Sequence, residues 1–182
     1  MRLFLTIFKY FYGFIYQPKR MNSASQNLID HLTLNTQRFL KIAETLVGDE
    51  VFFRPYQSVN HFVWTAGHLA MVRNTMLRVI DPNTPLTSFE NERGIFGPGS
   101  AIQPDEVYPD LGALLQSFEA RGAQVSAWLA TATDQQLDAQ SGVQIPNFPT
   151  TVGGLLHFFT IHETEHFGEM KMLKNLAIRQ RA

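Results

Sequence analysis

His162 and His166 lie four residues apart in the run Thr160-Ile161-His162-Glu163-Thr164-Glu165-His166-Phe167-Gly168-Glu169. On a helix, residues at that spacing sit one above the other on a single face. Two neutral imidazoles so arranged can grip one divalent ion through their ring-nitrogen lone pairs. Such a centre needs a further protein ligand. The chain contains no cysteine, so disulfides, a zinc ribbon and a catalytic thiol are excluded, and only histidine and carboxylate remain to complete a metal site. His68, in Trp64-Thr65-Ala66-Gly67-His68-Leu69-Ala70, is the candidate third ligand.

The neighbouring titratable residues divide by helical phase. Glu169 follows His166 by three positions and faces the same way, where it can hydrogen-bond a ligand or a bound water and assist a proton. His61 precedes His68 by seven and shares its face, as a group supporting the site and assisting the proton, lining the approach, capping a helix or facing solvent. His157 is turned about 140° from His162 and is expected to be structural. His31, on the first helix, is expected at a buried or boundary position. Glu163 and Glu165 flank the histidine face and point away from it. The letters His162-Glu163-Thr164-Glu165-His166 also fit the H-E-x-x-H signature of zinc peptidases, with Glu163 as the base. That reading is the weaker one. Only 16 residues follow His166, and Glu169 and Met172 stand where a metzincin extension has glycine and histidine.

Four helices must position these groups. Leu28, Leu32, Phe39, Ile42, Ala43 and Leu46 recur at helical spacing, which predicts a first helix from Ser23 to Leu46, capped by Ser23 or Ser25 and followed by Gly48. A second is expected over about His61 to Ile80, capped by Ser58 or Asn60 and stopped by Asp81-Pro82. A third is expected from Pro109 to Thr131, with Leu111, Leu114, Leu115, Phe118, Val125, Trp128 and Leu129 as its apolar stripe. A fourth starts at Thr150 or Thr151 and runs to the end. Between them, 81–108 and 133–149 are rich in proline and glycine and read as long irregular connections. No alternating strand pattern or internal repeat is present. The fold class is therefore all-α: a four-helix bundle with long connections between helices two and three and between three and four. Gly67, Gly153 and Gly154 fall inside helices, where each costs up to about 1 kcal/mol against alanine, so close approach of a neighbour is expected there.

At 182 residues, with 45% hydrophobic and 17% charged residues, the chain has the make-up of one globular domain. A net charge of −1 argues against a nucleic-acid surface. The absence of cysteine is compatible with a cytoplasmic setting. Residues 1–20 stand apart: an aromatic, apolar run with four basic residues and no acid. Taking those four from 15 leaves 11 basic against 16 acidic residues in the domain, 21–182. The run is too short for a comfortable membrane span, which needs about 20 apolar residues, and it lacks a cleavage site, so no stable membrane insertion is expected. Three readings stay open for it: an extension upstream of a true start at Met21, an aromatic helix lying on a membrane, or a helix packed on the domain or a partner.

Trp64-Thr65-Ala66-Gly67-His68-Leu69-Ala70 resembles the W-x-x-G-H-L-A pattern of the DinB superfamily, the DinB/YfiT-like metalloenzymes. His162-Glu163-Thr164-Glu165-His166-Phe167-Gly168 resembles its H-E-x-x-H-x-G-Q pattern, with Glu169 in place of the usual glutamine. The Arg54-Pro55, Phe96-Gly97 and Thr151-Val152-Gly153 stretches are also similar, and the resemblance covers about 21–179. It implies a four-helix bundle whose metal ligands are His68, His162 and His166, holding a divalent ion, zinc or nickel foremost, with iron or manganese as alternatives. It implies a metal-dependent thiol S-transferase or hydrolase that activates a low-molecular-weight thiol or water, acts on a small molecule, and forms a homodimer. A different class of reading is a non-catalytic metal-binding bundle of the stress response, acting through partners.

Overall fold

The apolar stripe of the first long segment forms α1, Ser23–Ala43, with Leu28, Leu32, Phe39, Ile42 and Ala43 buried along one face. Asn22, and not Ser23 or Ser25, caps it: the Asn22 side chain accepts from the Ser25 backbone N–H at 2.6 Å. These coordinates are a computed structural model, which describes residues 22–180; the aromatic, basic 1–20 segment therefore lies outside the described residues.

α2, Phe62–Ile80, is buried over most of its length and is capped by the ring of His61. The first connection carries one turn of helix, α3, Glu92–Phe96. α4, Leu111–Leu129, starts two residues later than expected, because the Asp110 carboxylate accepts from Gly112 and Ala113 and so takes the cap. The second connection opens with a short helix, α5, Asp134–Asp138, under a Thr133 capping box. α6, Val152–Arg179, begins where expected, with Thr151 as its cap.

Among the described residues every regular element is helical and no strand is present. The four long helices form a bundle in which α1 and α2 each lie against both α4 and α6. Phe39 of α1 marks its centre. Its ring packs 6.2 Å from Phe62 (α2), edge-on at 4.8 Å to Phe118 (α4), and stacked at 5.9 Å on Phe167 (α6). This packing sets α2 alongside α6, as a site shared by His68 and the histidine pair requires.

A polar tie runs through the same core. Arg73 (α2) and Glu163 (α6) are both fully buried, with Arg73 Nε donating to Glu163 Oε1 at 2.8 Å and an Nη donating to Oε2 at 3.1 Å. Asn35 (α1) donates to Glu163 Oε2 and to the Thr160 carbonyl, both at 2.9 Å. Arg73 also donates to Thr36 Oγ1 and to the Phe118 carbonyl, and its guanidinium lies 3.3 Å above the Phe118 ring. A side chain at Gly122 of α4 would overlap that guanidinium. All four long helices thus converge on one paired charge, the condition under which a buried ion can be tolerated.

Candidate metal centre

His68 sits in α2 with only 5% of its surface exposed, and everything around it is specified locally. Four residues earlier on the same face, the Trp64 indole stacks on the imidazole, 5.1 Å between centroids and 7° between planes. Trp64 is itself held by its N–H donating to Ser100 Oγ, which in turn donates to the Ile95 carbonyl. Gly67 leaves the space that the Phe96 ring fills; a Cβ there would overlap the ring. The close approach anticipated at this glycine is therefore made by the α3 segment and not by another long helix. With Phe96 so seated, its carbonyl accepts from His68 Nδ1 at 2.9 Å. Glu92, at the start of α3, is paired with Arg121 of α4 at 2.8 Å and accepts from Asn74 of α2 at 3.0 Å, which fixes the connection against the bundle.

A carbonyl oxygen only accepts, so the proton of neutral His68 is on Nδ1 and its Nε2 carries a lone pair. That nitrogen points across to α6 and lies 3.1 Å from Nε2 of His162. His166 completes the group: its ring lies 5.1 Å from His68 and 4.6 Å from His162. One ring nitrogen from each of the three lies within 4.8 Å of the others. Glu169 faces this group as its phase requires, with one carboxylate oxygen 2.7 Å from His166 Nδ1. A carboxylate also only accepts, so neutral His166 likewise keeps its Nε2 free.

Burial pushes the His68 imidazole down to about 4, and the nearby His166 and His162 rings add to this, while the Phe96 carbonyl opposes it. Burial also lowers His162, helped by His166 and opposed by Glu165 and Glu169. Both rings are thus kept neutral in the pH range where ligation needs a lone pair. The donor set fits a metal. Two nitrogens bound at about 2.0–2.1 Å to a tetrahedral ion stand roughly 3.3 Å apart, close to the His68–His162 separation. Inward lone pairs at such a distance repel unless a proton or a cation lies between them.

A sequence profile of the DinB superfamily matches residues 31–170. The chain belongs to the DinB superfamily. Among solved structures, this DinB chain is similar to a conserved protein from Enterococcus faecalis, at 15% identity and a TM-score of 0.61, over 85% of this chain and 96% of that one. At that identity the likeness concerns the fold alone. No curated protein matches the chain.

The other sequence candidates are placed differently. His61 caps α2, with Nδ1 accepting from the Trp64 N–H at 3.0 Å, and its ring packs edge-on to Phe52 and Tyr108. Phe52 and Tyr108 pack beside the N-terminus of α2, and neither ring contact involves one of the three histidines; capping is the role these contacts support. His31 is exposed, against the expectation of a buried or boundary position, because Leu28, Leu32 and Asn35 take the inward face of α1. It lines a cleft with the exposed His157 at the α5–α6 corner. Glu163 is not a base: both its oxygens are held by Arg73 and Asn35 in the core, so the peptidase reading loses its proton acceptor.

Three groups that shape the site were not singled out by sequence reasoning: Asn35, Arg73 and the Phe96 carbonyl. Asn35 and Arg73 left a signal, since each is a polar residue in an otherwise apolar register, between Leu32 and Phe39 and between Leu69 and Met76. A backbone carbonyl leaves none.

Proposed function

We propose that this DinB protein is a metal-dependent enzyme of the transferase or hydrolase type, with His68, His162 and His166 as ligands of one divalent ion. A bound ion would supply Lewis acidity, favouring the deprotonated form of a thiol or water at its open position. The remaining work falls to the chain. The Phe96 carbonyl and Glu169 fix the ring orientations of two ligands and raise their basicity. Trp64 closes the core side of His68 to water. Glu169, whose side chain is 62% exposed, is placed to pass a proton between the site and solvent. Because the chain has no cysteine, a thiol taking part in the reaction must come from the substrate. Imidazole ligation suits zinc, nickel, iron and copper alike.

The observation supporting this reading is the meeting of three imidazoles from two facing helices, two of them with Nδ1 hydrogen-bonded to an acceptor. The reading is tested by assaying thiol transfer to soluble electrophiles, using several low-molecular-weight thiols, before and after chelation and metal return. Turnover that disappears with the metal and returns with it is expected. Absence of metal-dependent turnover with every thiol and with water would overturn the catalytic assignment.

A further inference from the structure

The 141–150 connection is a closed loop with a pinned neck. Ser141 N–H donates to the Thr150 carbonyl, and Val152 N–H to the Ala139 carbonyl, each at 2.9 Å. Val143 and Ile145 are anchored against the core. A turn then follows, closed by Phe148 N–H donating to the Ile145 carbonyl and passing through Asn147 at φ +67°. That left-handed conformation costs a non-glycine residue energy and is retained where surrounding contacts impose it. Pro149 seats against Gly154, where a Cβ would come within 2.7 Å of the proline.

The product of this arrangement is an aromatic ring facing water. Phe148 is 41% exposed. Its ring lies 4.3 Å from that of Phe158, and the Phe158 ring lies 6.1 Å from the His162 imidazole at 23° to it. Two phenyl rings therefore lead from solvent to one of the three histidines, and the loop that presents the outer ring is fixed at its neck, its anchor and its turn. Ligand sites join an apolar wall to a few polar groups that orient the bound molecule.

We propose that Phe148 and Phe158 form a shelf that receives a flat apolar group, aryl in preference to alkyl, on the molecule whose donor atom takes the open position beside His162. The shelf rests on the three-histidine reading and names a substrate class for it.

The test uses the full chain loaded with cobalt(II), with benzohydroxamate and acetohydroxamate as paired probes and the cobalt absorption spectrum as readout. Both probes offer the same chelating group, so their affinity ratio reports the shelf. Wild type is expected to bind the aryl probe roughly tenfold more tightly, in line with an aromatic contact of this kind. Phe148→Ala is expected to cut that ratio to about twofold, leaving the cobalt and acetohydroxamate affinities unchanged, and Phe148→Tyr to preserve it. Because Phe148 is exposed, the alanine variant should keep its thermal midpoint. Cobalt bound with the same ratio in wild type and Phe148→Ala overturns the shelf alone. Failure of wild type to bind cobalt overturns the three-histidine reading and the shelf with it.

Discussion

Arg73 and Glu163 form a two-pronged ion pair at 2.8 and 3.1 Å with neither side chain exposed, and Glu163 is the residue directly after His162. The rotation of α6 that buries Glu163 against Arg73 is the same rotation that turns His162 and His166 toward His68. One residue step of about 100° separates the structural face from the chemical one. The H-E pair in the sequence thus has two jobs on two faces.

Glu163→Ala is expected to destabilise the fold by about 3–5 kcal/mol, since it leaves the Arg73 charge buried without a partner. Replacing the pair together, Arg73→Met with Glu163→Leu, should cost less than the single change. Denaturant unfolding of the three chains checks this. A loss below about 1 kcal/mol for Glu163→Ala would show that the pair is not the tie described.

Gly67→Ala should act on the site through Phe96. The added methyl overlaps the Phe96 ring, which is fully buried, and relief requires moving the carbonyl that orients His68. We expect a stability loss of about 1–3 kcal/mol from overpacking together with weaker metal binding. Calorimetric titration with zinc measures the second effect. Unchanged affinity in the folded variant would dissociate the Phe96 carbonyl from ligand geometry.

The helices that carry the site were legible because burial repeats with the helical period, and the three histidines because spacing along α6 and the W-x-x-G-H pattern on α2 both mark one face. What escaped were relations between elements. Nothing local tells that Asn35 and Arg73 converge on Glu163, because each belongs to a different helix and the partners lie 90 or more residues apart. The caps of α1 and α2 each fell on a neighbouring residue, since Asn22 and His61 both offer an acceptor close to the expected start. The fit of Gly67 to Phe96 depends on how a 30-residue connection folds back, which periodicity does not address.

Glu169→Ala removes the acceptor of His166 Nδ1, and metal affinity should fall about 10–100-fold. Glu169→Gln can keep a hydrogen bond through its amide oxygen, and its loss should be smaller. Competition against a chromophoric chelator ranks the three chains. Equal affinities would make Glu169 a solvated carboxylate with no hold on the ligand.

Acid should weaken the metal-free fold over a definite window. Burial holds His61 and His68 at about 4 in the folded chain, below the ordinary value of 6.5. The unfolded chain therefore takes up these protons first, so stability is full above about pH 6.5 and is lost as pH falls toward 4. Each histidine contributes a slope of up to about 1.4 kcal/mol per pH unit within that window. Urea midpoints of the chelated protein between pH 4 and 8 give the slope, and His61→Asn, which retains a capping acceptor, should reduce it. A flat profile between pH 6.5 and 4 would contradict neutral, buried rings.

Elemental analysis of the purified protein beside a His68→Ala variant decides whether imidazoles from α2 and α6 share one ion. The wild-type chain is predicted to carry close to one divalent ion per molecule, and His68→Ala, verified as folded by circular dichroism, to lose it. Equal metal content in the two would remove α2 from the site and contradict the three-histidine centre.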